Sequence, residues 1–77
     1  MNKARRNRIS DLSARLSDLM AEVEALKDEE QEYMDNIPEN MQGGERYEAA
    51  EQAVDSLDSA MNSIEEAIGY LDEAAEV

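Results

Sequence analysis

Twenty Asp and Glu residues dominate the chemistry that this 77-residue chain could perform. Many of them stand three or four positions apart, a spacing that places carboxylates side by side on a helix. The chain has no histidine and no cysteine, so it lacks the imidazole and thiolate groups that usually bind transition metals or act as bases and nucleophiles. We therefore expect no catalytic residues, no metal site and no cofactor, and a protein that is not an enzyme.

The stretch Asn36–Glu48 has the residue types of an anion-binding site. Two glycines, Gly43 and Gly44, precede Arg46 and Tyr47. If a helix begins here, its free backbone N–H groups favour an anion, the arginine can pair with a phosphate and the tyrosine can stack on a base. Three glutamates crowd the same stretch with negative charge, so a capped structural loop is the alternative. These four residues are the predicted ligand-binding set.

Apolar residues recur every three or four positions on both sides of this stretch, which is the heptad pattern of packed helices. In the first half they are Ile9, Leu12, Leu16, Leu19, Val23, Leu26, Tyr33 and Ile37. In the second half they are Tyr47, Ala50, Val54, Leu57, Met61, Ile64, Ile68, Leu71 and Ala75. Pro38 and the two glycines interrupt the pattern between them. The sequence predicts a single all-α domain over residues 1–77, with helices over about 3–35 and 45–76 and a loop over about 36–44.

The two helices are predicted to fold back on each other as an antiparallel hairpin of the coiled-coil type. One antiparallel register places every apolar heptad residue of the first helix opposite one of the second, for example Leu26 opposite Val54. Ile37 and Met41 are expected to fold inward and close the loop end. The same register predicts ion pairs between the helices. They are Arg6 with Asp72, Lys27 with Glu51, and Glu29 with Arg46.

A second set of side chains lies beside the heptad positions. Alanines recur every seven residues along the second helix, and methionines widen the apolar face of the first. We expect them to bring further helices close, so that the hairpin self-associates into an even-numbered homo-oligomer, a four-helix or larger bundle. The predicted oligomer contacts are Met20, Ala53, Ala60, Ala67 and Ala74. The alternative is that the alanines only favour helix formation.

The net charge of −13 is unevenly spread along the chain. Residues 1–16 sum to about +4 and the remainder to about −17. The acidic remainder repels duplex nucleic acid and anionic membranes and favours a basic protein as partner. The predicted partner-binding acidic face consists of Glu51, Asp55, Asp58, Glu65 and Glu66. The alternative is that these charges only keep the protein in solution.

The stretch IPENMQGGERYEAAEQAVDSL, residues 37–57, resembles small acidic helical-hairpin accessory proteins of bacteriophages and integrated mobile elements. The resemblance covers the loop and much of the second helix. It implies an accessory role without a known active site, in a setting where small phage proteins often block host defence by binding an effector or by sequestering a signalling nucleotide. The chain contains no apolar run of membrane-span length and no hydrophobic segment of a signal peptide near its start. The expected location is therefore the cytoplasm of the bacterial host.

Three functional hypotheses follow from these observations. The first is a phage-type inhibitor of a host defence factor that binds a basic protein surface as an acidic, nucleic-acid-mimicking rod. The second is an oligomeric sponge that holds a small anionic ligand, such as a signalling nucleotide, near the loop. The third is a structural coiled-coil subunit whose only interactions are with copies of itself.

Overall fold

Two long helices form the protein in the computed structural model, which describes residues 1–77. Helix α1 spans Lys3–Asp35 and helix α2 spans Glu45–Glu76, and a 3-10 turn over Glu39–Met41 lies between them. The helices pack against each other along a rod of 60 × 14 × 12 Å, and the structure contains no strand. The prediction of an all-α two-helix hairpin is confirmed. Neither helix has an apolar stretch long enough to cross a membrane.

Local contacts define where α1 begins and ends. The side-chain oxygen of Asn2 accepts a hydrogen bond from the backbone N–H of Arg5 at 2.8 Å, which satisfies one of the free donors at the start of the helix. At the other end, the N–H of Asn36 donates to the carbonyl of Glu32 at 3.1 Å. Pro38 follows two residues later and cannot continue the helix. The helix therefore ends just before a proline that cannot continue it.

The connection closes through a short chain of backbone hydrogen bonds. The N–H of Met41 donates to the carbonyl of Pro38 at 2.8 Å, and the N–H of Gly44 donates to the carbonyl of Met41 at 3.1 Å. A Cβ at Gly44 would lie 3.3 Å from that carbonyl oxygen, so glycine suits the close approach. Ile37 is buried as expected, with 5% of its surface exposed, whereas Met41 is 48% exposed. The expectation for Met41 is wrong because the 3-10 turn holds its side chain on the outside.

Helix α1 turns toward α2 one row of side chains that the heptad pattern did not indicate. The row that faces α2 is buried or half-buried, and we call it the inner row: Ser13, Met20, Lys27 and Met34. Two rows of heptad residues were expected in the interface, and one of them is half-buried or buried there: Ile9, Leu16, Val23 and Ile37. The other is 43–55% exposed, and we call it the leucine row: Leu12, Leu19, Leu26 and Tyr33. The prediction that the leucine row packs against α2 is therefore wrong.

Hydrogen bonds to α2 explain this rotation of α1. The Ser13 hydroxyl donates to Asp72 at 2.8 Å, and the Lys27 ammonium donates to Asp58 at 2.9 Å. The leucine row has no group that could bond these carboxylates. The methionines of the inner row meanwhile supply apolar contact, and the leucine row stays about half covered after α1 turns by roughly 50° at 100° per residue.

The hairpin consequently has two different sides. Two rows of α2 are used here: the acidic row Glu51, Asp58, Glu65 and Asp72, and the alanine row Ala53, Ala60, Ala67 and Ala74. On one side the inner row of α1 contacts the acidic row. On the other, Arg46, which stands one heptad before Ala53, donates to the hydroxyl of Tyr33 at 3.0 Å. The leucine and alanine rows are therefore neighbours, and we call them together the apolar side.

The core between the two helices is thin. Five of the 77 residues are buried, and no large side chain is fully enclosed. The most enclosed are Ala50, with 2% of its surface exposed, and Ile37, with 5%. Two helices can cover only one strip of each other, so the monomer buries little of its apolar surface.

The loop end offers a direct check of this core. We expect Ile37→Ala to lower the free energy of unfolding by about 2 kcal/mol, because it empties a buried position. Met41→Ala removes an exposed side chain and should change stability by less than about 0.5 kcal/mol. Urea unfolding followed by circular dichroism measures both. Equal losses from the two variants would contradict the burial described here.

Candidate functional site

The predicted acidic face lies together on the side of α2 that meets the inner row. All five of its carboxylates are exposed. At 100° per residue they fall within an arc of roughly 100° around α2. They are Glu51, Asp58 and Glu65 of the acidic row, with Asp55 and Glu66 next to it and further from α1. We call these five residues and Asp72 the acidic side.

Almost none of this charge is neutralised within the hairpin. Helix α2 carries ten acidic residues and one basic residue, and Lys27 with Asp58 forms the one salt bridge in the structure. Asp58 raises the pKa of Lys27, first by accepting its hydrogen bond and second by the attraction of its charge. No group of three or more acidic side chains is arranged to hold a metal ion. The acidic side therefore presents an extended negative potential to the solvent.

The rotation of α1 also changes which charges meet. Lys27 pairs with Asp58, which stands one heptad after Glu51, the predicted partner. Arg6 donates to the carbonyl oxygen of Val77 at 2.8 Å and not to Asp72. Both predicted ion pairs are wrong, because each assumed that the leucine row faced α2.

A cleft of about 380 Å³ opens beside the loop. It contains three of the four predicted ligand-binding residues, Gly43, Gly44 and Arg46. Tyr47 lies outside it, in a neighbouring groove with Gln42 and Glu48. The structure thus separates the tyrosine from the glycines and arginine that were expected to act with it. The remaining residues that line the cleft are Ile37, Asn40, Met41 and Glu45.

The start of α2 faces this cleft without a side-chain cap. Gly44 precedes the helix, and no side chain bonds the free N–H groups of the first turn. These groups carry the partial positive charge of the helix end. The cleft therefore combines free backbone donors with one arginine and one glutamate.

Arg46 is held toward α1 by Tyr33. Its Nε donates to the tyrosine hydroxyl at 3.0 Å, and its guanidinium carbon lies 5.6 Å from the centre of the ring. This geometry combines a hydrogen bond with a cation–π contact. The predicted pairing of Arg46 with Glu29 is wrong, because the exposed Tyr33 takes its place. An anion in the cleft would share Arg46 with Tyr33, or it would take the place of Tyr33 as the partner of Arg46.

The predicted oligomer contacts divide between the two sides. Met20 is half-buried in the inner row, and the four alanines are half-buried beside the leucine row. Their role between subunits stays a prediction. Sequence reasoning missed the exposed leucine row. The signal that could have found it is that Ser13 and Lys27 share one heptad row with Met20 and Met34, in reach of carboxylates on α2.

The Lys27 and Asp58 pair gives a pH-dependent prediction. A raised pKa in the folded state means that the pair stabilises the protein fully below the ordinary lysine pKa, and that the effect is lost as the pH rises through the raised value. We expect Asp58→Asn to lower stability slightly at neutral pH and to match the unaltered protein once Lys27 is neutral. Parallel urea titrations from pH 7 to strongly alkaline pH measure this. A difference that stays constant across the range would contradict the pairing.

No family model matches this chain, and neither a curated protein nor a solved structure matches it.

Proposed function

We propose that this protein is a non-enzymatic binding protein whose acidic side engages a basic surface of another protein. The setting that we propose is the cytoplasm of a bacterial host, where a phage-type accessory protein of this kind inhibits a defence factor. The observation that carries the proposal is the acidic side itself: a nearly unneutralised row of carboxylates along one helix of a 60 Å rod.

The arrangement of these charges favours a role in binding over a role in keeping the protein in solution. Charges that only keep a protein in solution are usually of both signs and spread over the surface. Here the acidic residues Glu51, Asp55, Glu65 and Glu66 lie on one face without a cation of the hairpin paired to them. The helix holds these charges at regular positions along one face, and their combined field steers a basic partner toward it.

The repeat of the carboxylates also suits a surface that normally binds nucleic acid. Apart from the adjacent Glu65 and Glu66, the acidic side advances by three to seven positions at a time, so successive carboxylates lie roughly 5–10 Å apart along α2. Phosphates along one nucleic-acid strand also form a regular row of negative charge, with one charge for about every 3.4 Å of the helix axis. We propose that the partner is an Arg- and Lys-rich groove, which would pair with the acidic side by charge-assisted hydrogen bonds.

The test compares two variants that have the same net charge. In the first, Asp55→Lys with Glu66→Lys reverses two charges of the acidic side without touching the contacts to α1. In the second, Asp28→Lys with Glu32→Lys reverses two exposed charges on α1. Immobilised unaltered protein and both variants are exposed to host lysate, and bound proteins are eluted by increasing salt and identified by mass spectrometry.

We expect a basic protein that the unaltered protein and the α1 variant both retain. The acidic-side variant should release it at much lower salt, with affinity reduced at least about tenfold by loss of two charge pairs. Affinity for the purified partner is then measured for all three proteins. A partner that binds both variants equally would show that net charge alone matters, and the proposal would fail.

A nucleotide sponge is the second candidate, and the cleft beside the loop is the observation that favours it. The cleft offers Arg46 and the uncapped start of α2 to an anion. Glu45 lines the same cleft and opposes a highly charged ligand.

Native mass spectrometry of the untagged protein purified from a bacterial host tests this second function. A sponge predicts an extra mass of nucleotide size that Arg46→Ala removes. Tyr47→Ala is the matched control, because Tyr47 lies outside the cleft, and it should retain the ligand. Protein without added mass from cells that contain the nucleotide would eliminate this function.

A further inference from the structure

The apolar side leaves a regular row of large side chains in water. Leu12, Leu19, Leu26 and Tyr33 are each 43–55% exposed and recur every seven residues. A seven-residue repeat gives one of the two rows of a coiled-coil seam, and the half-buried alanine row of α2 lies beside it. We propose that a second copy of this chain covers the apolar side, with the α1 helices of the two copies packed antiparallel about a twofold axis near Leu19.

The exposed area of the hairpin is consistent with a missing partner. Its accessible surface is 5764 Å². A compact monomer of 8.6 kDa is expected to expose roughly 4,700 Å², so the hairpin exposes roughly 1,000 Å² more. A stable interface of standard size buries about 800 Å² on each partner. A dimer through the apolar side would therefore remove about the excess that the monomer shows.

Charges beside the leucine row identify the occupant as a second copy. The row four positions before it reads Arg8, Arg15, Glu22 and Glu29. All four are exposed, and none forms a salt bridge within the hairpin. In an antiparallel pair of helices, this row meets its own counterpart. Arg8 then faces Glu29 of the second copy, and Arg15 faces its Glu22. One register makes both contacts, because residue numbers that face each other across an antiparallel pair have a constant sum.

Other arrangements of two copies leave these charges unpaired or opposed. A parallel pair of α1 helices would place arginine beside arginine and glutamate beside glutamate. Stacking α1 on α2 of the second copy would place the charged row beside residues that bear no charge. Those residues are Ala49, Ser56, Ser63 and Tyr70. The order of two arginines before two glutamates therefore favours the antiparallel α1 contact.

This dimer would keep the acidic side free. The inner row separates the acidic side from the apolar side, so both copies would present their carboxylates outward. The alanine rows would meet across the same interface, and their small side chains allow close helix approach. Assembly through the apolar side does not depend on the partner proposed for the acidic side.

A charge exchange tests the arrangement. Arg15→Glu and Glu22→Arg are each expected to weaken the dimer about tenfold, because each replaces two attractive contacts per dimer by two repulsive ones. The double variant Arg15→Glu/Glu22→Arg restores opposite charges across the axis and should dimerise like the unaltered protein. Sedimentation equilibrium over a range of concentrations measures each dissociation constant.

The control is Asp28→Arg, which reverses an exposed charge on the opposite face of α1. It should dimerise as tightly as the unaltered protein, and circular dichroism checks that every variant is helical. A monomeric unaltered protein would overturn the proposal. So would a double variant that is as weak as the single ones.

A cross-linking experiment tests the position of the same axis directly. The chain has no cysteine of its own. Under mild air oxidation, the Leu19→Cys variant should form a disulfide-linked dimer at high yield, since position 19 would lie beside its own counterpart. Tyr70→Cys is the matched control, because Tyr70 is 69% exposed but stands ten residues along α2 from Ala60, which is level with Leu19. The two copies of position 70 would therefore lie roughly 30 Å apart along the helices. Equal yields from the two variants would contradict the twofold arrangement.

Discussion

The hydrogen bonds from Ser13 and Lys27 to carboxylates of α2 are the contacts on which the rest of this structure depends. They hold the inner row of α1 against the acidic row, at 2.8 Å and 2.9 Å. Because a helix can turn only one face toward a single neighbour, this choice leaves the leucine row outside. The exposed apolar side is a consequence of that one rotation. So is the use of the acidic row, in which Asp58 and Asp72 accept hydrogen bonds from α1.

The resulting hairpin separates its two kinds of surface. Carboxylates of α2 lie on one side with a single salt bridge, and large apolar side chains of α1 lie on the other. Electrostatic attraction acts over roughly a Debye length, whereas apolar contact requires direct burial. The two sides can therefore serve different purposes in one small protein. In our proposals, the apolar side assembles copies of the chain and the acidic side binds a basic partner.

The loop closes one end of the hairpin and lines a small cleft. Ile37 closes the hairpin end, and Gly44 permits the close backbone contact with Met41. Arg46 and Tyr33 tie the beginning of α2 to the end of α1. These contacts explain why residues that seemed suited to an anion also have structural partners. A ligand in the cleft would have to compete with them, which is why binding through the acidic side is the stronger functional proposal.

The sequence by itself determined the helices, the place of the reversal and the chemistry that is available. Heptad spacing, Pro38 and the glycine pair are local signals, and they act on backbone geometry within a few residues. The grouping of the acidic face was also readable, because helical periodicity alone places Glu51, Asp55 and Asp58 on one side. Only the tertiary structure decided which row of α1 faces α2. The inner row offers two methionines for apolar contact, and it also forms hydrogen bonds between residues as distant as Ser13 and Asp72, which no local pattern encodes.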